Sequence, residues 1–496
     1  MTTPRPAIGA MRAIQTTNAA TDLHDTVIRG ASVIDGTGSP RFLADVQVAQ
    51  GRISGIVPAG RGHARRVIDA HGLALCPGFI DAHTHDDQLV LCSTEPHPKL
   101  LQGVCTVVTG NCGISLAPLV TQHPPAPLDL LGADAYRYDT FAAYAAALDD
   151  ARPHVNVVPL LGHISLRVKH VASLERTANP GEVAAMQAEV LQALQAGAFG
   201  LSTGVYYPPA RAASTQELLD VCGVLKGRNA LLAMHLRDEG DNIDAALKEA
   251  LDVGRASQAR LVLSHHKVVG LHNQGHTRHT LKAIEQAAQQ QSVCLDCYPY
   301  EASSTMLDAV KAARTGRVLI SWSAPHPEYN GQSLQSIADT WGVSLLDAAQ
   351  RLMPGGAIYF GMAAEDVERV LRHPLTMIGS DGLPHDARPH PRLWGTFPRV
   401  LGHYSRDKSL MSLEVAVHKM TGLPAARFGL KQCGTLAVGH AADLVLFDPL
   451  TIRDSATYEQ PTQPPAGIEA VLVNGQLSVW RGKHVPGVRA GRRLLP

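Results

Sequence analysis

The sequence predicts an α/β protein: a (β/α)₈ TIM-like barrel with a small β-sandwich domain built from both chain termini and a helical lid insertion. Short apolar runs alternate with Ala-, Leu- and Gln-rich stretches through the middle of the chain, which is typical of βα units in a parallel sheet. Short alternating runs separated by glycines occur near both ends, which is typical of antiparallel strands. Eight parallel strands are predicted, the number that closes such a barrel.

The predicted domain boundaries follow these changes of pattern along the 496 residues. Residues 1–24 are polar and aperiodic, and they are predicted to form a flexible N-terminal tail. Residues 25–75 and 431–496 share the alternating pattern, so they are predicted to form the two parts of one β domain. Residues 76–430 between them are predicted to form a metal-dependent catalytic barrel.

The predicted barrel strands are residues 78–83, 105–109, 156–161, 199–203, 231–235, 261–265, 293–298 and 376–381. About 75 residues separate the last two strands, far more than one crossover helix requires. The excess, at about residues 301–370, is predicted to be a helical insertion that covers the mouth of the barrel as a lid.

Composition excludes several classes of protein. The 44 basic residues balance 44 acidic ones, which argues against a general binder of nucleic acid or of membrane surfaces. No apolar run approaches the roughly 20 residues that span a bilayer. Eight cysteines in so long a chain suit a reducing compartment better than a disulfide scaffold. We therefore expect a cytoplasmic protein, a monomer or small homo-oligomer, with neither nucleic acid nor membrane as a partner.

Candidate metal ligands follow the predicted strands, at the ends where barrel enzymes build their active sites. On a strand, residues i and i+2 face the same side, so the imidazoles of His83 and His85 are expected to point together into the barrel. A thiolate combined with imidazoles suits Zn²⁺ and leaves a position for water or substrate. The candidate ligands are His83, His85, Cys112, His235, His265 and Asp381.

Simpler structural interpretations exist for these residues. Asp381 lies in a Ser-Asp-Gly sequence, which is ordinary turn chemistry, and a lone buried cysteine such as Cys112 is more often inert packing. Only one of the adjacent His265 and His266 can share the inward face, so His266 is predicted to pack or to support a ligand. The coincidence of all six candidates with predicted strand ends favours a metal site.

Longer motifs extend this pattern over nearly the whole chain. They occupy residues 77–87, 107–118, 204–209, 235–239, 264–267, 298–300, 303–305, 379–385 and 390–395. In these stretches the chain resembles the N-acyl-D-amino-acid deacylases, or D-aminoacylases, of the amidohydrolase superfamily. The most specific stretch is the Asn-Cys-Gly-Ile-Ser sequence that contains Cys112.

The resemblance implies one tight zinc site, held by Cys112, His235 and His265. It also implies a second, weaker metal position, formed by His83 and His85 with Cys112 and Asp381 shared. Many relatives with two metals bridge them with a carboxylated lysine at the end of strand four. No lysine occurs between Lys169 and Lys226 here, which leaves Cys112 as the available bridging group.

The implied reaction is zinc-dependent hydrolysis of N-acyl-D-amino acids, typically N-acetyl compounds, to a carboxylic acid and the free D-amino acid. Zinc lowers the pKa of a water nucleophile toward about 7, and Asp381 is placed to act as general base and then general acid. By resemblance, the carboxylate of this small-molecule substrate is bound by Lys267, Arg392, Tyr207 and Ser304. The preference for the D-isomer also comes from the resemblance.

Alternatives stay open for the substrate and for the activity. Relatives divide into broad enzymes and enzymes restricted to N-acyl-D-aspartate or N-acyl-D-glutamate, and Lys311, Arg314 and Arg317 are candidates to bind an acidic side chain. Another cyclic-amide amidohydrolase or a deaminase is a second alternative, which the missing strand-four lysine disfavours. A non-catalytic amidohydrolase-like assembly protein is a third, disfavoured because no candidate ligand is missing.

Overall fold

A computed structural model describes residues 14–16, 24–93, 95 and 97–496. Most of the predicted N-terminal tail, residues 1–13 and 17–23, lies outside the described residues. Within that tail, Ile14–Thr16 forms a strand that pairs antiparallel with Arg66–Asp69. The predicted tail therefore contributes at least one short strand to the sheet that follows it.

Parallel strands form the barrel at the centre of the described chain. They are Phe79–Asp81, Val104–Thr109, Asn156–Pro159 continued by Leu161–Gly162, Gly200–Gly204, Leu231–His235, Arg260–Leu263, Val293–Cys297 and Thr376–Ile378. Each pairs in parallel with the next, and these eight are called strands one to eight below. The ring closes where Ala82 N donates to the carbonyl oxygen of Ile378 at 3.1 Å and Thr84 forms a parallel bridge with Gly382.

The strands of the barrel are buried on both faces, as expected when helices cover the outside of a parallel sheet. The helix Pro180–Gln195 shows how the sequence sets its boundary: the Asn179 side chain accepts from Glu182 N, and Glu182 reaches back to Asn179 N. The other helices outside the insertion are Phe141–Ala151, His163–His170, Pro208–Arg211, Thr215–Gly223, Ile243–Ser257, Thr277–Ala288, Ala364–Arg372, Arg392–Arg399, Val400–Asp407, Leu413–Met420 and Gly422–Phe428. None of the helices in the described chain combines the length and apolar character needed to cross a membrane.

Both ends of the described chain contribute to one ten-stranded sheet. Its strands are Ile14–Thr16, Thr26–Val33, Phe42–Ala49, Arg52–Pro58, Arg66–Asp69, Ala74–Pro77, Leu444–Phe447, Ile468–Val473, Gln476–Trp480 and Lys483–His484. The two ends meet where Ala74–Pro77 pairs antiparallel with Leu444–Phe447. Apolar residues from both ends, such as Ile28 and Leu472, share one buried core. The β domain is thus built from both termini, and its strands are joined in a single sheet that branches at Thr26–Val33.

The insertion before strand eight is not helical throughout, which corrects the sequence-based expectation. It contains a three-stranded antiparallel sheet, Ala302–Met306, Arg317–Ser323 and Gly355–Phe360, together with the helices Ala309–Arg314, Leu334–Trp341 and Leu345–Leu352. The strand Arg317–Ser323 lies at an edge of this sheet and buries the side chains of Val318 and Ile320. These side chains pack with Ile337 and Leu352 from the helices, so the insertion has its own core.

Candidate metal centre

Ligand-type atoms from four barrel strands converge at the C-terminal ends of the strands. His83 follows strand one, Cys112 strand two, His265 strand six and Asp381 strand eight. One ligand atom from each of these buried residues lies within 4.8 Å of the ligand atoms of the other three. Cys112 Sγ is 3.3 Å from His83 Nε2 and 3.3 Å from His265 Nε2. We refer to these four residues as the mouth cluster.

The backbone of the mouth cluster is strained. The φ angle is 54° at Cys112, 37° at His265 and 50° at Asp381, in the left-handed region that residues with a side chain rarely adopt. Such conformations persist only where the surrounding structure determines them, and they concentrate at functional sites. At Gly110, two residues before the thiol, a Cβ atom would lie 2.2 Å from the carbonyl oxygen of Leu160. The turn that delivers the thiol therefore requires glycine at this position.

Carboxylates stand behind two of the imidazoles. Glu239 Oε1 is 3.1 Å from His265 Nδ1, and Asp296 Oδ2 is 3.5 Å from His83 Nδ1. In metal sites a histidine ligand usually turns its second nitrogen to a carboxylate, which fixes the ring and its tautomer. Both rings here turn Nε2 toward the Cys112 thiol and Nδ1 toward a carboxylate. A thiol, imidazoles and a carboxylate in this arrangement fit a zinc ion.

His235 lies beside the mouth cluster. It forms a second compact group with Glu239 and His265, whose ligand atoms also lie within 4.8 Å of one another. Both ring nitrogens of His235 are buried without a hydrogen-bond partner among the described residues. Buried polar atoms normally have a partner, so an unpartnered imidazole at this position suits a metal ligand. Five of the six predicted ligands are thus divided between two groups that share His265. The sixth, His85, lies outside both groups and contacts Asp381 at 3.2 Å.

Asp381 is held between a guanidinium group and two imidazoles. Arg392 Nη1 lies 2.9 Å from Asp381 Oδ2, and His85 Nε2 lies 3.2 Å from Asp381 Oδ1. Burial by itself would raise the pKa of Asp381, but the charges of Arg392 and then His265 hold this pKa well below its usual range. The carboxylate is therefore charged at neutral pH, as a metal ligand or a proton acceptor must be.

A buried ion pair supports the second imidazole group. Lys267 Nζ lies 2.6 Å from Glu239 Oε1 and 2.8 Å from His265 Nδ1. Burial opposes the charge of Lys267, but the Glu239 carboxylate raises the lysine pKa above its usual value. Burial likewise opposes the charge of Glu239, and Lys267 followed by the imidazoles holds the pKa of this carboxyl well below its usual range. The ion pair of Lys267 and Glu239 is therefore charged, and both of its members hold the His265 ring in position.

A cavity of about 300 Å³, including open solvent, lies beside these groups. Its lining includes His235, His265 and Asp381, together with three of the predicted substrate-binding residues, Lys267, Tyr207 and Ser304. A wider groove, about 1420 Å³ including open solvent, shares Tyr206 and Lys311 with the cavity. The groove is therefore the approach from solvent to the mouth cluster.

Tyr207 and Ser304 bring hydroxyl groups to this cavity. The Tyr207 hydroxyl is 3.1 Å from Thr305 Oγ1, and Ser304 Oγ is buried without a partner among the described residues. Ser304 lies on the first strand of the insertion, so the insertion forms part of the cavity wall. A buried hydroxyl without a partner suits a place where a polar ligand group binds.

Arg392 is placed differently from the other predicted substrate-binding residues. It is fully buried, Nη2 donates to the carbonyl oxygen of Ser304 at 3.0 Å, and its guanidinium carbon lies 4.5 Å from the centre of the Tyr298 ring. With Nη1 on Asp381, the guanidinium stands behind the carboxylate, outside the lining of the cavity described above. Direct contact with a substrate carboxylate stays a prediction, whereas contact with Asp381 is observed.

Sequence reasoning missed several acidic residues that position the site. Asp296 lies within strand seven, and its Oδ1 accepts from His265 N at 2.9 Å. Asp81 ends strand one, contacts Lys99 at 2.9 Å and accepts from Ser380 N at 2.7 Å, immediately before Asp381. Burial raises the pKa of Asp296 to about 7. A single carboxylate inside an otherwise apolar strand was the signal that could have identified both.

Comparisons relate this chain to characterised proteins over nearly its full length. The profile of the amidohydrolase family matches residues 66–479. An N-acyl-D-aspartate deacylase of Alcaligenes xylosoxydans xylosoxydans is 50% identical over 474 residues, covering 95% of this chain and 95% of that protein. A D-aminoacylase of the same organism is 50% identical over 471 residues, covering 95% of this chain and 97% of that protein. The two relatives are equally similar to this chain.

A crystal structure adds the metal to this comparison. The N-acyl-D-glutamate deacylase of Bordetella bronchiseptica superimposes with a TM-score of 0.92 at 44% identity, covering 95% of this chain and 100% of that chain. That protein was crystallised with zinc and a phosphonate inhibitor that mimics the tetrahedral intermediate of its reaction. The likeness therefore extends over the whole fold, and not only the barrel.

Proposed function

The chain belongs to the amidohydrolase family, and from this premise and the mouth cluster we propose that it is a zinc-dependent deacylase of N-acyl-D-amino acids. The reaction is hydrolysis of an amide to a carboxylic acid and the free D-amino acid. The observation that carries the proposal is the convergence of a thiol, imidazoles and a carboxylate at one end of the barrel. The equal identity to a D-aminoacylase and an N-acyl-D-aspartate deacylase supports the substrate class.

When bound, zinc supplies a water molecule of lowered pKa and polarises the amide carbonyl. We assign the tight zinc position to Cys112, His235 and His265. We assign a weaker position to His83 and His85, with Cys112 and Asp381 shared. The unpartnered nitrogens of His235 support the first assignment, and the 3.3 Å separations around the Cys112 thiol support its bridging role.

Asp381 is the general base and then the general acid of the proposed reaction. Its carboxylate is charged and lines the cavity, so it can accept a proton from the attacking water and deliver it to the leaving nitrogen. Arg392 fixes the second oxygen of this carboxylate at 2.9 Å, which leaves the first oxygen to exchange the proton. A carboxylate held in one orientation needs little rearrangement during the reaction.

The substrate carboxylate is bound by Lys267, Tyr207 and Ser304, with Arg392 behind them. These groups come from strand six, from the segment after strand four, and from the insertion. Anchoring the carboxylate on three elements fixes the direction of the side chain relative to the reactive carbonyl, which is how one stereoisomer is selected. Most of the side chains that line this cavity are buried.

One observation favours a narrower substrate, an N-acyl-D-aspartate. Lys311 lines both the cavity and the groove, with Nζ 3.4 Å from the Tyr206 hydroxyl and 4.6 Å from the centre of the Tyr359 ring. Its cation can meet an acidic substrate side chain at the cavity wall. The aspartate-restricted activity is therefore the second candidate function.

A panel of N-acetyl amino acids tests both proposals. We expect the purified zinc-loaded enzyme to release amine from N-acetyl-D-methionine, N-acetyl-D-aspartate or both, detected with ninhydrin, and not from the L-isomers. Lys311→Met should lower kcat/KM for N-acetyl-D-aspartate by about tenfold more than it lowers kcat/KM for N-acetyl-D-methionine. An ion pair between Lys311 and an acidic side chain contributes roughly 1–2 kcal/mol. Arg278→Met, which removes an exposed cation that lines neither the cavity nor the groove, is the matched control. Cleavage of none of the D-substrates would overturn the proposed function.

The location and the assembly state remain separate proposals. A reducing compartment such as the cytoplasm is supported by the eight cysteines, all of which have free thiols. Of these, six are buried and lie within the packed interior. A monomer or small homo-oligomer is proposed, and gel filtration with light scattering measures it.

A further inference from the structure

A second group of metal-type ligands lies at the other end of the barrel from the mouth cluster. It consists of Glu95, His154 and His484, whose ligand atoms all lie within 4.8 Å of one another. His154 precedes the first residue of strand three, whereas the mouth residues follow the last residues of their strands. His484 ends the last strand of the β domain. We refer to these three residues as the base cluster.

The rings of the base cluster present free nitrogen atoms to one another. The centroids of His154 and His484 are 4.8 Å apart, and His484 Nδ1 lies 3.3 Å from Glu95 Oε1. His154 Nδ1 lies 3.1 Å from the carbonyl oxygen of Val488, to which it must donate a proton. The other nitrogen, Nε2, then carries a lone pair, and it is buried without a hydrogen-bond partner among the described residues.

Burial makes this arrangement costly without a ligand. His154 is 2% exposed, and the His484 side chain is 7% exposed with neither ring nitrogen in a hydrogen bond within the described structure. Buried imidazole nitrogens without a hydrogen-bond partner can serve as electron-pair donors to a cation. An unsatisfied buried polar atom costs about 1–3 kcal/mol, which a coordinated cation would recover.

The surroundings of the cluster are compatible with one cation. The guanidinium of Arg489 donates to the carbonyl oxygens of Arg152 at 2.8 Å and Cys92 at 3.2 Å. His97, 1% exposed and with its centroid 5.4 Å from that of His154, adds a further buried ring beside the cluster. Glu95 supplies the one negative charge of the three ligands, with 35% of its side chain exposed.

From these contacts we propose that Glu95, His154 and His484 form a structural zinc site that fastens the C-terminal segment to the base of the barrel. Two imidazoles and a carboxylate are a common zinc ligand set, with water completing the coordination. The site joins three segments that are far apart in sequence, beside hydrogen bonds from His154 Nδ1 to the Val488 carbonyl oxygen and from Gly491 N to the Pro153 carbonyl oxygen. It has no part in hydrolysis, so its failure would leave the proposed function untouched.

Zinc analysis of variants tests this proposal. Purified protein equilibrated with Zn²⁺ and freed of excess metal should hold about one more zinc per chain than either Glu95→Gln or His484→Ala, because each variant removes one ligand. His123→Ala, an exposed histidine outside both clusters, is the matched control and should hold as much zinc as wild type. Cys112→Ala should lose zinc from the mouth and keep it at the base.

Thermal unfolding supplies a readout that does not depend on activity. Added Zn²⁺ should raise the Tm of wild type, His123→Ala and Cys112→Ala through the base cluster, because a ligand that binds only the folded state stabilises it. The zinc affinity responsible for this shift should fall at least about tenfold in Glu95→Gln, which is partly exposed and leaves the fold intact. Equal zinc content and an equal Tm response in Glu95→Gln, His484→Ala and His123→Ala would overturn the proposal.

Discussion

At the base of the barrel, the side chains of Asp443, Asn156 and Asn474 pair hydrogen-bond donors with acceptors. The mouth cluster instead brings a thiol, imidazoles and a carboxylate into close contact. Asp443 Oδ1 accepts from Asn474 N at 2.6 Å, and Oδ2 accepts from Asn156 Nδ2 at 2.9 Å. Asn474 Nδ2 in turn donates to Asn156 Oδ1 at 2.8 Å. We call these three residues the base network. It pairs donors with acceptors and joins the β domain to strand three.

The mouth cluster combines groups that an ordinary core would keep apart. A thiol stands 3.3 Å from two imidazoles, and three of the four residues have positive φ angles. Burial lowers the pKa of His83 to about 3, so its ring is neutral at pH 7. Neutral electron-pair donors gathered around a charged carboxylate form a site that a metal cation would stabilise. The contrast separates a network that stabilises the fold from a cluster to which we assign the chemistry.

The largest effect is expected at Asp381. Asp381→Asn keeps the shape of the side chain but cannot accept a proton, so kcat for N-acetyl-D-methionine should fall by roughly 10² or more. Zinc content and Tm should stay close to those of wild type, because the tight position does not include this residue. Activity within a few-fold of wild type would assign the proton transfer to another group.

Replacement of Arg392 distinguishes two possible roles of its guanidinium group, which are orienting Asp381 and binding the substrate carboxylate. Arg392→Lys should cost about 2 kcal/mol in kcat/KM, because a planar group that contacts Asp381 and Ser304 is replaced by a point charge. A fall in kcat with unchanged KM is expected if Arg392 acts by orienting Asp381. A rise in KM with unchanged kcat would instead establish direct binding of the substrate carboxylate. Steady-state kinetics on N-acetyl-D-methionine separate the two results.

The base network should affect stability and not catalysis. Asp443→Ala leaves Asn474 N and Asn156 Nδ2 without their acceptor, which should cost about 2 kcal/mol of unfolding free energy. Urea unfolding measures this loss as a lower midpoint. The kcat of the folded variant should equal that of wild type. A large fall in kcat at unchanged stability would mean that base and mouth are coupled.

The smallest expected effect is on the pH dependence of stability. Burial raises the pKa of Asp443 to about 6 from a model-compound value of 3.8. The folded state therefore holds this proton more tightly than the unfolded state, and its contribution to stability is lost as pH rises through about 6. Unfolding free energies measured between pH 4 and 7 should decline less steeply in Asp443→Asn. An identical dependence of unfolding free energy on pH in wild type and Asp443→Asn would contradict the raised pKa of Asp443.

Much of this arrangement was predictable because barrel strands are short, apolar and end in polar residues. Strand five was predicted with its observed bounds, Leu231–His235, and the other seven within a few residues. Spacing could not show that Asp381 contacts Arg392, because that contact depends on how the helix Arg392–Arg399 packs. It also could not show that Glu239 and Asp296 stand behind the imidazoles, because both lie on other elements.

The insertion was the least predictable part of the fold. Its helices have clear signals, such as the Ser333 and Ser344 side chains that cap Leu334–Trp341 and Leu345–Leu352. Its strands are short and rich in serine, and Ala302–Met306 contains no strong apolar alternation. Pairing with Gly355–Phe360 supplies the order that local sequence lacks. Tertiary contacts, and not propensity, decide this sheet.

Two cysteines of the second βα unit allow the most direct test of the mouth cluster. Cys105 lies within strand two with Sγ 3.5 Å from the carbonyl oxygen of Leu472, and Cys112 follows the same strand. We predict that Cys112→Ala loses the mouth zinc and at least about 10³-fold in kcat/KM for N-acetyl-D-amino acids, because the metal contributes several kcal/mol. Cys105→Ala should keep both. Full activity and undiminished zinc in Cys112→Ala would contradict the assignment of the tight zinc position to Cys112, His235 and His265.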